Sequence, residues 1–188
     1  MTDHVLALDL GLAKAGAATL TADGRIDTWL KTTPTLGPTA TLHAVADRIG
    51  VMAGWAAGLA TTGTILAVVE GPAHAAQHGQ PHERAGVWWA VVRRLLHHEI
   101  PVAVLAPKTV KGYIAGKGNA SKDDVKRAVA AAWPGQGLGR ISADEADAVA
   151  MCTCAADWLG WDGPWLDGRR GVDWLRKASW PDRASVRA

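Results

Sequence analysis

The sequence has 188 residues, of which 48% are hydrophobic and 20% are charged, a composition that suits one globular domain with a sizeable core. No apolar run is long enough to span a bilayer, and the first residues lack the basic region of a signal peptide, so we expect no membrane segment. Cys152 and Cys154 are one residue apart on a predicted helix and point to different faces. This spacing argues against a disulfide between them and favours a reducing cytoplasm.

The formal net charge of +2 is small, but the basic residues are unevenly distributed along the chain. Lysine and arginine are concentrated within residues 108–127 and again within residues 169–187. Clustering matters more than the net charge for a polyanionic partner, so this distribution favours a nucleic acid partner.

The chain begins with three predicted strands, at residues 4–10, 14–21 and 25–31. The pair Asp23-Gly24 is a tight-turn signal that joins the last two of them as a hairpin. A helix follows, capped by Thr39 and running to about Leu59, and the continuously apolar stretch from Thr64 to Glu70 is typical of a strand covered on both faces.

The second half alternates helix and strand. A helix is predicted at 82–98, a short strand at 102–105 and a short helix at 107–113. Ser121 with Asp124 resembles a capping box for a helix to Trp133, and Ser142 with Glu145 is a capping box for the next helix. A strand meander followed by strand–helix–strand units predicts an α/β fold whose mixed sheet carries helices on both faces.

Four carboxylates occupy positions where unpaired charge is costly. Asp9 ends the first apolar strand and Glu70 ends the strongest one, while Asp144 and Asp147 are three residues apart and share a face of their helix. Carboxylates at strand ends with such a pair make a plausible cage for hard divalent cations. In a protein with clustered basic residues, this cage suggests metal-assisted cutting of a phosphodiester.

Each acid taken alone also has a structural explanation. Asp9 fits a turn, Glu70 fits a solvated strand end, and Asp144 lies in a first helical turn, where a carboxylate favours the macrodipole. Glu145 is interpreted as a capping residue. The four acids together, on this order of elements, favour a functional site.

The same residues lie in segments that resemble the RuvC branch of the ribonuclease H-like superfamily, the Holliday junction resolvases. The resemblance covers residues 4–156. It rests on five segments in order: Val5-Leu6-Ala7-Leu8-Asp9-Leu10-Gly11-Leu12 followed by Gly16, Val68-Val69-Glu70, Thr109-Val110-Lys111, Gly116-Lys117-Gly118-Asn119-Ala120-Ser121-Lys122, and Asp144-Glu145-Ala146-Asp147-Ala148. Leu10 stands where the family usually has proline.

The resemblance implies a ribonuclease H-like fold with a five-stranded mixed sheet, made of a three-strand antiparallel meander plus two parallel strands. It implies a homodimer that nicks branched DNA, such as four-way junctions, forks or flaps, and leaves 5′-phosphate and 3′-hydroxyl ends. Two Mg²⁺ ions per site, replaceable by Mn²⁺, would be held by Asp9, Glu70, Asp144 and Asp147. Lysines would contact the DNA near the cut, namely Lys111, Lys117 and Lys122, the last of them also in a catalytic role.

Two features depart from the family pattern. The loop after Glu70 has no aromatic residue other than histidine, which puts classical junction opening in doubt. We interpret His74, His78 and His82 as exposed side chains. We expect residues 1–160 to form the nuclease domain and residues 161–188 a basic Trp/Arg-rich extension. Three tryptophans of the extension could stack on a partner or pack back on the domain. They are Trp165, Trp174 and Trp180. Small proteins of this kind suggest phage origin, and hence the host cytoplasm.

Two other readings stay open at the level of sequence. The segment Ala7-Leu8-Asp9-Leu10-Gly11 with the following hairpin also resembles the phosphate loop of sugar kinases and actin-like ATPases. Those proteins close a second lobe over the nucleotide, which 188 residues hardly permit. The other reading is a catalytically silent DNA-binding domain of the same fold, against which the complete set of acids argues.

Overall fold

Five strands form one mixed sheet in the computed structural model, which describes residues 2–37, 39–71, 80–164 and 172–186. The strands are β1 (His4–Asp9), β2 (Lys14–Thr21), β3 (Ile26–Thr32), β4 (Thr64–Glu70) and β5 (Val102–Leu105). Their order across the sheet is β3-β2-β1-β4-β5. The pairs β1–β2 and β2–β3 are antiparallel, and β1–β4 and β4–β5 are parallel. The predicted meander and parallel pair are thus confirmed.

Helices cover both faces of this sheet, as predicted. They are α1 (Leu42–Gly58), α2 (Pro81–His97), α3 (Pro107–Ala115), α4 (Lys122–Ala132), α5 (Ala143–Leu159) and α6 (Val172–Leu175). The capping boxes of Ser121 and Ser142 are both formed. The expected cap of α1 is wrong by two residues, because the hydroxyl of Thr41, not Thr39, accepts the N–H of Ala44 at 3.2 Å.

Alternation along the strands divides the core into two layers. In β1, Val5 and Ala7 face one cluster, which includes the buried side chains of α3, α4 and α5. Leu6 and Leu8 face the other cluster, which lies under α1 and α2. Because strand side chains alternate with a period of two, the residues at odd and even positions of a strand face different helices. The position of a residue at the end of a strand therefore decides which helices its side chain faces.

Helix α5 is buried along most of its length and packs across β1 and β2. Its close approach depends on Gly16 of β2, which pairs with Asp9. A Cβ atom added at Gly16 would lie 2.2 Å from the carbonyl carbon and oxygen of Asp144. The glycine therefore brings the first turn of α5 directly onto the ends of β1 and β2.

The described C-terminal residues pack back on the sheet. Ser179 forms an antiparallel bridge with Val104 of β5, with N–H···O distances of 2.9 and 3.0 Å. Trp180 stacks on Trp158 with ring centroids 4.8 Å apart, and Trp174 also packs against the core. Of the two fates considered for the tail tryptophans, packing is therefore observed for these two, while Trp165 lies outside the described residues.

Two further expectations concern cysteines and membranes. Cys152 and Cys154 form no disulfide with each other, as their spacing predicts, and both are buried. Within the described ranges, no helix combines the length and the apolar character needed to cross a bilayer.

Replacing Gly16 with alanine should destabilise the fold by about 1–3 kcal/mol, because the new methyl group must push the backbone of α5 away from the sheet. Urea unfolding measures the change in the free energy of unfolding. Gly50→Ala is the matched control, since no atom lies within 4 Å of a Cβ built at that helical position. It should leave stability unchanged or slightly raised. Equal stability of Gly16→Ala and the wild type would contradict the close approach described here.

Candidate metal centre

The topology brings two acidic side chains to one edge of the sheet. β1 and β4 are parallel neighbours, so Asp9 and Glu70 end their strands at the same edge. Asp9 has the parity of Val5 and Ala7, and Glu70 that of Leu66 and Val68, so both face the layer that contains α5. The N-terminal turns of α5 meet that edge from the same side.

Three of the four predicted acids form a close cluster. One oxygen each of Asp9, Asp144 and Asp147 lies within 4.8 Å of the others. Glu70 is not part of this group of three, but it lies close enough to Asp9 for the charge of Asp9 to raise the pKa of Glu70. A set of closely spaced carboxylate oxygens is the donor set that Mg²⁺ and Mn²⁺ prefer, so the residues present fit a hard divalent cation.

Burial and mutual repulsion raise the pKa of the two acids at the strand ends, Asp9 and Glu70. Burial, followed by the charges of Asp147 and Asp144, raises the pKa of Asp9 to about 7. Burial, followed by the charge of Asp9, raises the pKa of Glu70 to about 8. The cluster therefore lacks a positive charge that a cation would supply.

The two acids on α5 differ because of their neighbours. Burial would raise the pKa of Asp144, but hydrogen bonds from Lys14 and Lys122 outweigh it and hold the pKa below its ordinary value. Lys14 Nζ lies 2.9 Å from Asp144 Oδ2, and Lys122 Nζ lies 3.2 Å from Oδ1. Burial raises the pKa of Asp147, with the charges of Lys122 and Lys111 opposing it.

The three lysines predicted to contact DNA are placed differently. Lys122, the first residue of α4, forms an ion pair with Asp144. Lys111, on α3, lies close enough to Glu70 for its positive charge to oppose the rise in the pKa of Glu70 that burial causes. Lys117 instead forms an ion pair with Asp124 at 3.3 Å, next to the cap of α4.

Lys14 was not predicted from the sequence, although its contact with Asp144 is shorter than that of Lys122. It begins β2, two residues before Gly16, and shares the parity of that glycine. This parity was the available signal, because it turns the side chain of Lys14 toward the same layer as the acids.

Two neighbouring side chains have structural roles. Glu145 accepts the N–H of Ser142 at 2.9 Å and the hydroxyl of Thr28 at 2.9 Å, in agreement with its interpretation as a capping residue. Trp88 of α2 donates its indole N–H to the backbone oxygen of Glu70 at 2.9 Å and thereby fixes the end of β4. The loop whose lack of aromatic residues was noted, including His74 and His78, lies outside the described residues.

The sheet order, the crossing helices and the acids at the ends of β1 and β4 define the ribonuclease H-like fold. Two solved structures of Thermus thermophilus RuvC share it. One, of RuvC alone, has 21% sequence identity and a TM-score of 0.63, and the match covers 84% of this chain and 97% of that one. The other, RuvC in complex with a Holliday junction substrate, has 19% identity and a TM-score of 0.66, with 84% and 96% covered. The resemblance in fold is thereby confirmed.

Comparisons at the level of sequence gave a different result. No protein-family model matches the chain, and no curated protein matches it. The common fold with RuvC is therefore carried by the arrangement of elements, at a level of identity that shows the fold alone.

The raised pKa values predict how stability depends on pH. Because folding raises the pKa of Asp9 and Glu70 from 3.8 and 4.5 to about 7 and 8, the folded chain binds protons more tightly than the unfolded chain. This contribution to stability is complete below the unfolded values and is lost as pH rises through the folded ones. The Tm of the metal-free protein should therefore fall as the pH rises from about 4 to about 8 and level off above that interval.

Differential scanning calorimetry at several pH values measures this change. Asp9→Asn removes one charge of the pair of Asp9 and Glu70 and should flatten the dependence of the Tm on pH. A contribution from histidines elsewhere in the chain would be unchanged in this variant. Added Mg²⁺ should stabilise the wild type more at the alkaline end, because metal binding displaces the protons. A wild-type Tm that rises over this interval without metal would contradict the assignment.

Proposed function

We propose that this protein is a divalent-metal-dependent endonuclease that cuts branched DNA, with Holliday junctions as the leading substrate. The observation that carries the proposal is the cluster of Asp9, Asp144 and Asp147, whose oxygens lie within 4.8 Å of one another, with Glu70 near enough to Asp9 for the two charges to interact. Nothing in the packing requires four carboxylates to converge, and burial makes their convergence costly. The fold shared with RuvC, one structure of which holds a Holliday junction substrate, supports the choice of DNA.

In this mechanism Asp9, Glu70, Asp144 and Asp147 would hold two Mg²⁺ or Mn²⁺ ions. When bound, the ions would neutralise the acids, activate a water for in-line attack and stabilise the leaving 3′ oxygen, which gives 5′-phosphate and 3′-hydroxyl products. Asp9 is suited to the central position, because it lies between Glu70 and the two acids of α5.

The lysines would hold the DNA and balance its charge. Lys122 lies against Asp144 and is 63% exposed, so its ammonium group can reach a phosphate beside the acids and stabilise the charge that develops there. Lys111 lies near Glu70 on the neighbouring helix. Lys117, paired with Asp124, would contact phosphate further from the cut.

Neutral replacements of the acids test the proposal. Asp9→Asn or Glu70→Gln should reduce Mg²⁺-dependent cleavage of a labelled four-way junction by at least about a hundredfold, because each removes a ligand charge. Binding of the junction should be largely retained, since the lysines are unchanged. Asp27→Asn is the matched control, because Asp27 is an exposed acid of β3 whose ion pair is with Arg25.

If either variant cuts the junction at near the wild-type rate, the assignment of these acids as metal ligands is wrong. Failure of the wild type to cut any branched DNA with Mg²⁺ or Mn²⁺, with binding intact, would favour a catalytically silent DNA-binding domain. ATP turnover would favour the kinase-like reading, although the single described sheet offers no second lobe to enclose a nucleotide.

We also propose that the protein acts as a homodimer. Cutting a four-way junction symmetrically needs two sites that face opposing strands. Helix α2 offers a surface for a second copy, because Trp89 and Leu96 are seven residues apart on one face and are 58% and 55% exposed. Two large exposed apolar side chains on one face of a helix would supply part of the apolar surface that association with a second copy requires.

Trp89→Glu should convert the dimer to a monomer, because it places a charge in the centre of the buried patch. Sedimentation velocity measures the change in mass. Leu42→Glu is the matched control, since Leu42 is 88% exposed at the start of α1. A wild-type protein that sediments as a monomer at micromolar concentration would contradict the dimer while leaving the carboxylate site untouched.

We further propose that residues 1–160 constitute the nuclease domain and residues 161–188 an extension that braces it. The bridge between Ser179 and Val104 and the stacking of Trp180 on Trp158 support this role for the described part of the extension. Its basic residues would add phosphate contacts at the rim.

A further inference from the structure

Lys14 supplies a positive charge on the side of the carboxylate cluster opposite Lys111. It begins β2, which lies next to β1 on the side away from β4. Lys111 is on α3, which follows β5 at the other end of the sheet. A strand of DNA that crosses the cluster would therefore meet ammonium groups on both sides.

The contact that Lys14 makes in the metal-free protein occupies an oxygen that a cation would need. Asp144 offers two carboxylate oxygens, and both are engaged: Oδ2 by Lys14 at 2.9 Å and Oδ1 by Lys122 at 3.2 Å. Asp144 also belongs to the three acids close enough to hold a metal. A divalent cation and an ammonium group repel each other beside one carboxylate, so a cation bound at Asp144 would weaken the ion pair of Lys14.

The ion pair of Lys14 is of the kind that a cation can displace. The side chain of Lys14 is 46% exposed, and ion pairs with an exposed partner contribute little to stability. Its four-carbon stem is flexible and its ammonium group is strongly hydrated, so release into solvent meets no packing barrier. A phosphate beside the cluster would then be an anion within its reach, in addition to Glu145, whose pKa the charge of Lys14 lowers.

We propose that Lys14 exchanges partners, pairing with Asp144 in the metal-free protein and with a DNA phosphate once a divalent cation is bound. The inference rests on the proposed function and adds a contact from the β2 side of the site. Lys14 thereby competes with the metal in the absence of DNA and contributes to binding when both are present.

Binding of a fluorescein-labelled four-way junction, measured by anisotropy in Ca²⁺ over a series of KCl concentrations, tests the second half of the exchange. Lys14→Met should weaken binding about fivefold at 0.15 M salt and lower the slope of log affinity against log salt by about 0.9, the effect of one phosphate contact. Lys14→Arg should retain most of both. Lys31→Met is the matched control, because Lys31 is on the adjacent strand but pairs with Ala15, of opposite parity.

Binding of Mn²⁺ to the DNA-free protein, followed by the electron paramagnetic resonance of the free ion, tests the first half. Lys14→Met should bind Mn²⁺ up to about fivefold more tightly, because the competing ion pair is gone. Lys31→Met should match the wild type. Circular dichroism and the Tm confirm that each variant is folded.

The outcomes separate this inference from the proposed function. A wild type that binds the junction, with Lys14→Met equal to it in affinity and salt slope, overturns the phosphate contact alone. Unchanged or weaker Mn²⁺ binding by Lys14→Met overturns the competition. A wild type that binds no junction in Ca²⁺ overturns the proposed function and this inference with it.

Discussion

The close approach of α5 to β1 and β2 is the constraint on which the site depends. Gly16 leaves no atom between β2 and the backbone of Asp144, and the adjoining strand and helix surfaces are largely alanine. Small residues on both surfaces allow a helix to lie unusually near a sheet. The distance gained in this way puts the carboxylates of α5 against Asp9, where a larger side chain at position 16 would hold them apart.

Because α5 lies so close to the sheet, its acids and those of the strands are near one another, and neighbouring groups must compensate their negative charges. The acids at the strand ends are compensated by protons, and the acid at the start of α5 is compensated by two ammonium groups. The cluster could therefore hold a cation in place of these protons and ammonium contacts. A buried set of acids that served only the fold would need neither arrangement, since apolar side chains would pack there without such compensation.

Most of the sheet could be predicted because its signals are local. The apolar run before Glu70, the turn at Asp23-Gly24 and the serine caps each identify an element from a few neighbouring residues. The start of α1 was misplaced, because Thr39 and Thr41 carry the same capping chemistry and only the geometry of the turn distinguishes them.

The positions of the acids could be predicted because Asp9 and Glu70 end strands and Asp144 and Asp147 open a helix, and these element ends are visible in the sequence. Lys14 was missed, because its parity shows only the layer that it faces, while its partner lies 130 positions away and is reached only after α5 docks on Gly16. The packing of the tail was equally out of reach, because Trp174, Ser179 and Trp180 follow no helical or strand period. Contacts between residues distant in the chain depend on the assembled fold, which local patterns do not encode.

The bridge between Ser179 and Val104 has a consequence for how the molecule tolerates shortening. β5 is a four-residue strand at the border of the sheet, and its outward N–H and C=O groups would otherwise be free to pair with another chain. The returning C-terminal segment takes up both backbone groups of Val104. A chain cut before Ser179 would leave β5 as an unpaired edge strand. We therefore expect the tail to oppose the pairing of β5 with a second copy of the chain into extended sheets.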